Sequence, residues 1–114
     1  GVTANTYELL MDVEETNLTV DFFIIDQTNL THGINIYTMT ENNYQNFIEC
    51  GAYATIDELS WDNAMDGTST HEITSTQMGD SERVYVVADN GHCMDEERDD
   101  ILLSWTVSWP ASDV

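Results

Sequence analysis

The sequence contains no lysine and only two arginines, against 22 aspartates and glutamates, so its formal net charge is −20. Phosphate recognition needs clustered Lys and Arg side chains, and their shortage excludes nucleic acid as a partner. The same shortage excludes attraction to an anionic membrane surface. No apolar run approaches the roughly 20 residues of a membrane-spanning helix, so we expect no membrane insertion.

The chain is short but has the composition of a folded protein. Its 114 residues are 41% hydrophobic, which supplies a core and argues against an acidic disordered tail. We therefore expect one domain over residues 1–114. The chain begins at Gly1 without an initiator methionine or a signal-type apolar segment, and we expect a mature, secreted protein.

Cysteine is also scarce. Cys50 and Cys93 lie 43 positions apart, without a CxxC motif or a companion set of metal ligands. In a secreted chain, two cysteines favour one disulfide, worth about 4 kcal/mol in the chain-entropy model. Two buried free thiols are the alternative.

Alternation of apolar and polar residues dominates the chain and predicts half-buried β-strands. The clearest stripes are Tyr7, Leu9, Met11 and Val13; Leu18, Val20, Phe22 and Ile24; Ile34 and Ile36; residues 83–89; and Ile101, Leu103, Trp105, Val107 and Trp109. Phe23 and Ile25 make the second stripe apolar on both faces, as in a central strand. Weaker candidates are 53–60 and 71–78. The pattern predicts an all-β protein, an antiparallel β-sandwich of jelly-roll type with about seven to eight strands.

One segment has the period of a helix. Within 41–49, Tyr44, Phe47 and Ile48 are spaced three and four apart. Thr40 is a candidate N-cap, Glu41 favours the positive end of the helix dipole, and Gly51 is a candidate C-terminal stop. We expect one short helix across an end of the sandwich.

Two stretches resemble a known family. Residues 34–47 contain a strand followed by a Met-x-x-x-Asn-Tyr-x-x-Phe helix, and 84–90 read Val-Tyr-Val-Val-Ala-Asp-Asn before a terminal alternating strand. This order, over roughly residues 16–109, resembles secreted archaeal and bacterial domains related to the GOLD β-sandwich of the emp24 family. The resemblance implies a non-catalytic extracellular sandwich used for protein interaction.

Catalytic motifs are missing. His32, His71 and His92 lie on separate segments without the spacing of a zinc site, and no G-x-S-x-G elbow occurs. We therefore expect no enzyme and no resident cofactor.

Two acidic loops, 62–68 and 89–100, are rich in the oxygen donors that calcium takes. If the second loop binds Ca²⁺, the ligands are expected to be Asp89, Asp95, Asp99 and Asp100. Neither loop has EF-hand spacing, and a solvated acidic surface is the alternative.

The surface carries two further signals. Asn17 and Asn29 each begin an N-x-[ST] sequon at an end of the second stripe, and we expect glycans there. Residues 68–76 are a candidate for O-linked sugar, and a polar edge strand is the alternative. Repulsion among so many carboxylates needs screening, which favours a halophilic or otherwise salt-bathed exterior.

These features leave two functional classes. The first is a structural subunit of an extracellular surface assembly or filament, which self-associates or binds another extracellular protein. In it, Tyr7, Leu9, Met11 and Val13 within the first 15 residues form a strand donated to a neighbour, or pair within their own domain. The second is a soluble protein- or carbohydrate-binding module with Tyr53, Trp61 and Trp109 as aromatic contacts; Trp105 and Trp109 are expected in the core.

Overall fold

A computed structural model describes residues 1–28 and 30–111. The elements are β1 (Thr6–Val13), β2 (Asn17–Ile24), β3 (Ile34–Thr40), α1 (Glu41–Ile48), β4 (Trp61–Ala64), β5 (Asp66–Glu72), α2 (Ser75–Met78), β6 (Val84–Asn90) and β7 (Leu103–Ser108). The described chain forms two antiparallel sheets, with strand orders β1-β6-β3-β4 and β5-β2-β7, and the predicted β-sandwich is confirmed. Within the described residues, no helix has the length and apolarity needed to cross a lipid bilayer.

The core between the sheets follows the predicted period of two. Leu18, Val20, Phe22 and Ile24 of β2 are all buried and pack against inward residues of the opposite sheet. β2 is the central strand of its sheet, as predicted. Its outer face nevertheless stays exposed at Phe23, so apolar character on both faces did not mean burial on both faces.

The outer face of the four-stranded sheet is covered by α1. Tyr44 and Phe47 of the helix pack on Met39, Tyr85 and Val87, and this second cluster makes β6 buried at every position. The helix predicted over 41–49 is therefore confirmed, with its end at Ile48.

Two details of the helix ends differ from expectation. Thr40 is the N-cap residue, as predicted, but its hydroxyl accepts a hydrogen bond from the Asn43 side chain (3.0 Å) and makes no bond to the helix backbone. The left-handed residue after the helix is Cys50 (φ 63°), not Gly51, whose N–H instead donates to the Asn46 carbonyl. Glycine is the usual residue at such a left-handed position. Here the position is occupied by Cys50, which forms a disulfide with Cys93.

The first predicted stripe does not lie on one face. A bulge between Leu9 and Met11 inserts Leu10 into the pairing of β1 with β6 and shifts the phase of the strand. Tyr7 before the bulge packs with the outer cluster, whereas Val13 after it packs in the core between the sheets. Leu10 is buried and Leu9 exposed, which is the reverse of the simple alternation.

Both weaker strand predictions need correction. Residues 53–60 contain a 3₁₀ turn at Asp57–Leu59, and the strand of this region is β4. In 71–78, β5 ends at Glu72 and α2 follows. The helix forms because Thr74 and Gln77 make a reciprocal capping box, which satisfies free backbone donors of a polar segment.

Candidate interaction surface

The open edge of β7 is the most distinctive surface of the fold. Among the described strands, β7 pairs only with β2, from Thr19–Ser108 to Ile24–Leu103. Beyond the strand, the Ile25 N–H donates to the Leu102 carbonyl (2.8 Å) in the same register. Antiparallel hydrogen bonding alternates, so the even-numbered residues of β7 bond to β2. The backbone N–H and C=O groups of Leu103, Trp105 and Val107 therefore face away from the sheet, and no described residue pairs with them.

The edge is limited at both ends. At one end Val2 forms a bridge to Ile101, with N–H to O distances of 2.7 and 2.9 Å. At the other end β7 ends at Ser108, so the next odd-numbered residue, Trp109, lies beyond the strand. The edge thus offers three residues, centred on Trp105, whose backbone N–H and C=O groups face away from the sheet.

Charge distinguishes β7 from the other edge strands of the described fold. β1 carries Glu8 and Asp12, β4 carries Asp62, and β5 carries Asp66 and Glu72. β7 reads Leu-Ser-Trp-Thr-Val-Ser and carries no charged residue. Charged side chains on an edge strand discourage pairing with other chains, and β7 lacks that protection.

Exposed apolar side chains surround the β7 edge. Five of the large exposed hydrophobic residues lie on β7, on the adjoining part of β2, or immediately beside them. They are Phe23 (48% exposed), Ile25 (53%), Leu102 (53%), Trp105 (36%) and Trp109 (40%).

The positions of Trp61 and Trp105 differ from those that the sequence predicts. Trp105 pairs with the buried Phe22 and so points to the inner side, yet it remains partly exposed because it sits on an edge strand. Trp61, expected at the surface, packs edge-to-face on Phe22 with ring centroids 5.1 Å apart. Its ring covers Gly67, where a Cβ would lie 2.7 Å from the Trp61 Nε1 atom.

The predicted aromatic contacts do not form one platform. In the described chain, Tyr53 packs on Tyr37 and Phe47, whereas Trp61 packs on Phe22. Trp109 lies just past the end of β7.

The predicted donor strand is paired within its own chain. β1 pairs with β6 from Thr6–Asn90 to Val13–Val84 and forms one edge of the four-stranded sheet. Exchange of this strand between copies stays a prediction.

The four predicted calcium ligands are not gathered. The buried Asp89 accepts from the Asn35 side chain (3.2 Å) and from the His92 N–H (2.8 Å). The Asp100 carboxylate accepts from the Ala4 N–H (2.8 Å), Asp99 faces Thr31 at 3.5 Å, and Asp95 is exposed.

Potential metal ligands converge elsewhere. In residues 1–28 and 30–111, the one group of three such atoms within 4.8 Å of one another belongs to Cys50, His92 and Cys93. Its two sulfurs are joined in the disulfide, and no described cysteine is free, which corrects the free-thiol alternative.

The structure describes one of the two predicted glycosylation sites, Asn17. Asn17 is exposed at the first residue of β2, and the Thr19 hydroxyl of its sequon hydrogen-bonds to the Thr70 hydroxyl at 2.7 Å. Asn29 lies outside the described residues.

A cluster of tyrosines was not anticipated. All five tyrosines join Phe47 and His92 in one set of ring contacts on the outer face of the four-stranded sheet, with Tyr44 stacked on Tyr85 at 4.4 Å. Burial is the main cause that raises the pKa of Tyr44 to about 12. Burial and the hydrogen bond to Asp62 (2.7 Å) also raise the pKa of Tyr37. The cluster holds α1 to the sheet, and only long-range strand pairing brings its members together.

An open groove of about 590 Å³ lies beside α2. Glu14, Ser75 and Ser81 are among its lining residues, and no histidine lines it. The groove therefore does not pair a hydroxyl with the usual general base.

Comparisons with protein-family models, with curated proteins and with solved structures find no match to this chain. The similarity to GOLD-type domains accordingly stays a prediction.

Proposed function

We propose that this protein is a non-catalytic structural or interaction protein of an extracellular assembly, and that it associates by strand pairing at the β7 edge. The observation that carries the proposal is the uncharged, open edge of β7 in a chain of net charge −20.

Strand addition fits the chemistry of this edge. The free N–H and C=O groups supply affinity in the way of β-augmentation, with a net gain of about 0.5–1.5 kcal/mol for each hydrogen bond. Trp105 and Trp109, which stay partly exposed, supply apolar area and specificity. Such a contact buries no carboxylate of β7 itself.

The extracellular setting rests on two features. The Cys50–Cys93 disulfide persists in oxidising compartments and is rare in reducing ones. The excess of carboxylates suits a salt-rich exterior, where counterions shorten the range of repulsion to about 10 Å at 0.1 M and about 3 Å at 1 M. Glycans at Asn17 and Asn29 belong to the same setting.

The test compares two variants that differ only in the edge they alter. Thr106 and Thr68 pair with Asp21 from opposite sides, on β7 and β5, and both are exposed. Thr106→Glu and Thr68→Glu therefore add the same charge beside the same aspartate. We expect light scattering across a salt series from about 0.1 M to 1 M to show self-association of the parent protein, weakened by Thr106→Glu and little changed by Thr68→Glu, with the difference between the variants largest at the lowest salt at which the parent associates.

Equal loss in both variants would show that general repulsion controls association. A parent protein that stays monomeric at every salt concentration, and that captures no extracellular partner, would refute the proposed function.

A soluble binding module is the second candidate, favoured by the exposure of Trp105 and Trp109, which lie four positions apart in the sequence. Quenching of tryptophan fluorescence by a panel of oligosaccharides tests it. Binding to a monomer, lost in Trp109→Ala, would favour this module over the assembly subunit.

A further inference from the structure

One cluster of potential metal ligands lies apart from the β7 edge. The Sγ atoms of Cys50 and Cys93 and a ring nitrogen of His92 all lie within 4.8 Å of one another. The His92 Nε2 atom is 4.0 Å from the Cys50 Sγ atom. Both cysteines are exposed and joined in a disulfide, and His92 is half-buried beside them. Thiolate and imidazole groups are common ligands of zinc in proteins.

We propose that reduction of the Cys50–Cys93 disulfide converts this cluster into a Zn²⁺ site, with the two thiolates and the His92 imidazole as its three protein ligands. Formation of the disulfide expels the metal, so these residues bind Zn²⁺ only in the reduced protein. The site is independent of the proposed function, because it does not involve the β7 edge.

The distances within the cluster fit tetrahedral zinc. With Zn–S bonds of about 2.3 Å and a Zn–N bond of about 2.0–2.1 Å, two sulfur ligands lie about 3.8 Å apart, and a sulfur and a nitrogen about 3.6 Å apart. His92 Nε2 and Cys50 Sγ are already close to this separation at 4.0 Å. Once their bond is broken, the two exposed sulfurs reach the required separation by side-chain rotation, because their Cα atoms lie 5.7 Å apart.

His92 is held in place by contacts that do not involve the disulfide. Its ring packs edge-on against Tyr7 (centroids 4.8 Å apart) and tilted against Phe47 (5.2 Å). Its backbone N–H donates to Asp89 (2.8 Å), and its Nε2–H donates to the Ile48 carbonyl (3.1 Å), since a carbonyl only accepts. To bind the metal through Nε2, the imidazole carries its hydrogen on Nδ1 and gives up the bond to Ile48. The third ligand therefore lies beside the two sulfurs before the metal binds.

The redox step is a thiol–disulfide exchange with a dithiol reductant. The reductant gives up two electrons and two protons, its own sulfurs join in a disulfide, and Cys50 and Cys93 become thiols. The exposure of both cysteines gives the reductant access. Zn²⁺ then displaces the two thiol protons and binds two thiolates and a neutral imidazole.

The metal closes the same loop as the disulfide. Cys50 follows α1 and Cys93 follows β6, with a sequence separation of 43. A metal bound to both cysteines restrains the unfolded chain as a disulfide does, and its binding free energy adds to the free energy of folding. Three protein ligands leave the fourth position of the tetrahedron to water, which reaches the cluster through its exposed cysteines.

Metal titration of the full chain in both redox states tests the proposal. The protein is reduced with a phosphine, desalted under inert gas and titrated with Co²⁺, a spectroscopic substitute for Zn²⁺. Salt at about 1 M weakens binding of the metal to surface carboxylates. We expect the reduced parent protein to bind one Co²⁺ per chain with a thiolate-to-cobalt charge-transfer band, and Zn²⁺ to displace the Co²⁺. The oxidised protein has the same 22 acidic residues and should show no such band.

Two histidine variants separate the proposed ligand from general effects. Loss of an outer-shell partner of a metal costs about 10–100-fold in affinity, so loss of a ligand should cost at least as much. In the reduced state, His92→Gln should therefore bind Co²⁺ more weakly than the parent protein by about tenfold or more. His32→Gln removes a histidine outside the cluster and should bind Co²⁺ as the parent protein does.

Urea unfolding keeps the test valid if reduction loosens the fold. Zn²⁺ should raise the unfolding midpoint of the reduced parent protein, and should refold that protein if it is unfolded without metal. The same Zn²⁺ concentration should raise the midpoint of reduced His92→Gln much less.

Three results would overturn the proposal. Absence of the charge-transfer band in the reduced parent protein would show that the thiolates hold no metal. Equal affinity in the reduced parent and His92→Gln would show that His92 is not a ligand, and equal binding by the oxidised protein would show that carboxylates hold the metal. The assembly proposed at the β7 edge would stand after any of these results, because its own test measures association.

Discussion

Removal of the Cys50–Cys93 disulfide should cost a large part of the stability of this protein. The bond closes a loop with a sequence separation of 43, for which the chain-entropy model gives about 4 kcal/mol. Small domains are stable by only about 5–15 kcal/mol, so a double variant without the bond should be marginal. With a urea m-value of about 2 kcal/mol per M, the midpoint should fall by about 2 M.

The backbone at the two cysteines sharpens this prediction. Cys50 and Cys93 have φ of 63° and 67°, in the left-handed region where a Cβ is unfavourable. The pair Cys50→Gly and Cys93→Gly should therefore be more stable than the pair Cys50→Ala and Cys93→Ala, by on the order of 1 kcal/mol after the greater freedom of unfolded glycine is included.

Equilibrium urea unfolding of the three proteins at one fixed salt concentration measures both effects. A midpoint that moves by less than about 0.5 M on removal of the bond would refute the loop-closure reasoning. A more stable alanine pair would refute the role assigned to the left-handed backbone.

Two further predictions concern packing and titration. Gly67→Ala should destabilise the protein by about 1–3 kcal/mol in urea unfolding, because its Cβ would lie 2.7 Å from Trp61 Nε1 and 2.8 Å from a Phe22 ring carbon; Gly51→Ala, whose nearest neighbour is at 3.4 Å, is the control and should cost much less. An equal cost at both sites would contradict the close approach of Trp61. Because the pKa of Tyr44 is raised to about 12 in the folded protein, the unfolded chain loses the Tyr44 proton at a lower pH than the folded protein does. The stabilisation that comes from this shift should therefore be fully present below pH 10 and be lost between pH 10 and 12. Tyr44→Phe should flatten that fall when unfolding midpoints are measured across the range, and an unchanged slope would show that the proton on Tyr44 is not responsible.

Local pattern was sufficient for much of the fold. The alternation of Leu18 to Ile24 and of Leu103 to Val107 reports which side chains share a face, because successive side chains of a strand point to opposite sides. The spacing of Tyr44 and Phe47 reports a helical face in the same way. The antiparallel sandwich and α1 follow from these local periods, and the disulfide follows from the number of cysteines.

The candidate surface depended on which strands become neighbours. Trp61 occurs in the polar segment 57–67 and Trp105 in an alternating apolar stripe, yet Trp61 packs on Phe22 across the sandwich while Trp105 lies on an edge. Asp89 looks like a loop ligand in the sequence, yet strand pairing buries it between Asn35 and His92. The bulge at Leu10 likewise reverses the phase of β1 without a glycine or proline to mark it.

The sequence by itself therefore determined the β-sandwich, the helix α1, the disulfide and a strongly acidic surface, because these depend on composition and on periods of two and 3.6 residues. Only the tertiary structure decided that β7 ends its sheet as an open, uncharged edge and that five tyrosines, one of them on α1, meet on the outer face of the four-stranded sheet. Strand order is set by contacts between residues far apart in the chain. The local period of a strand carries no information about which strand becomes its neighbour.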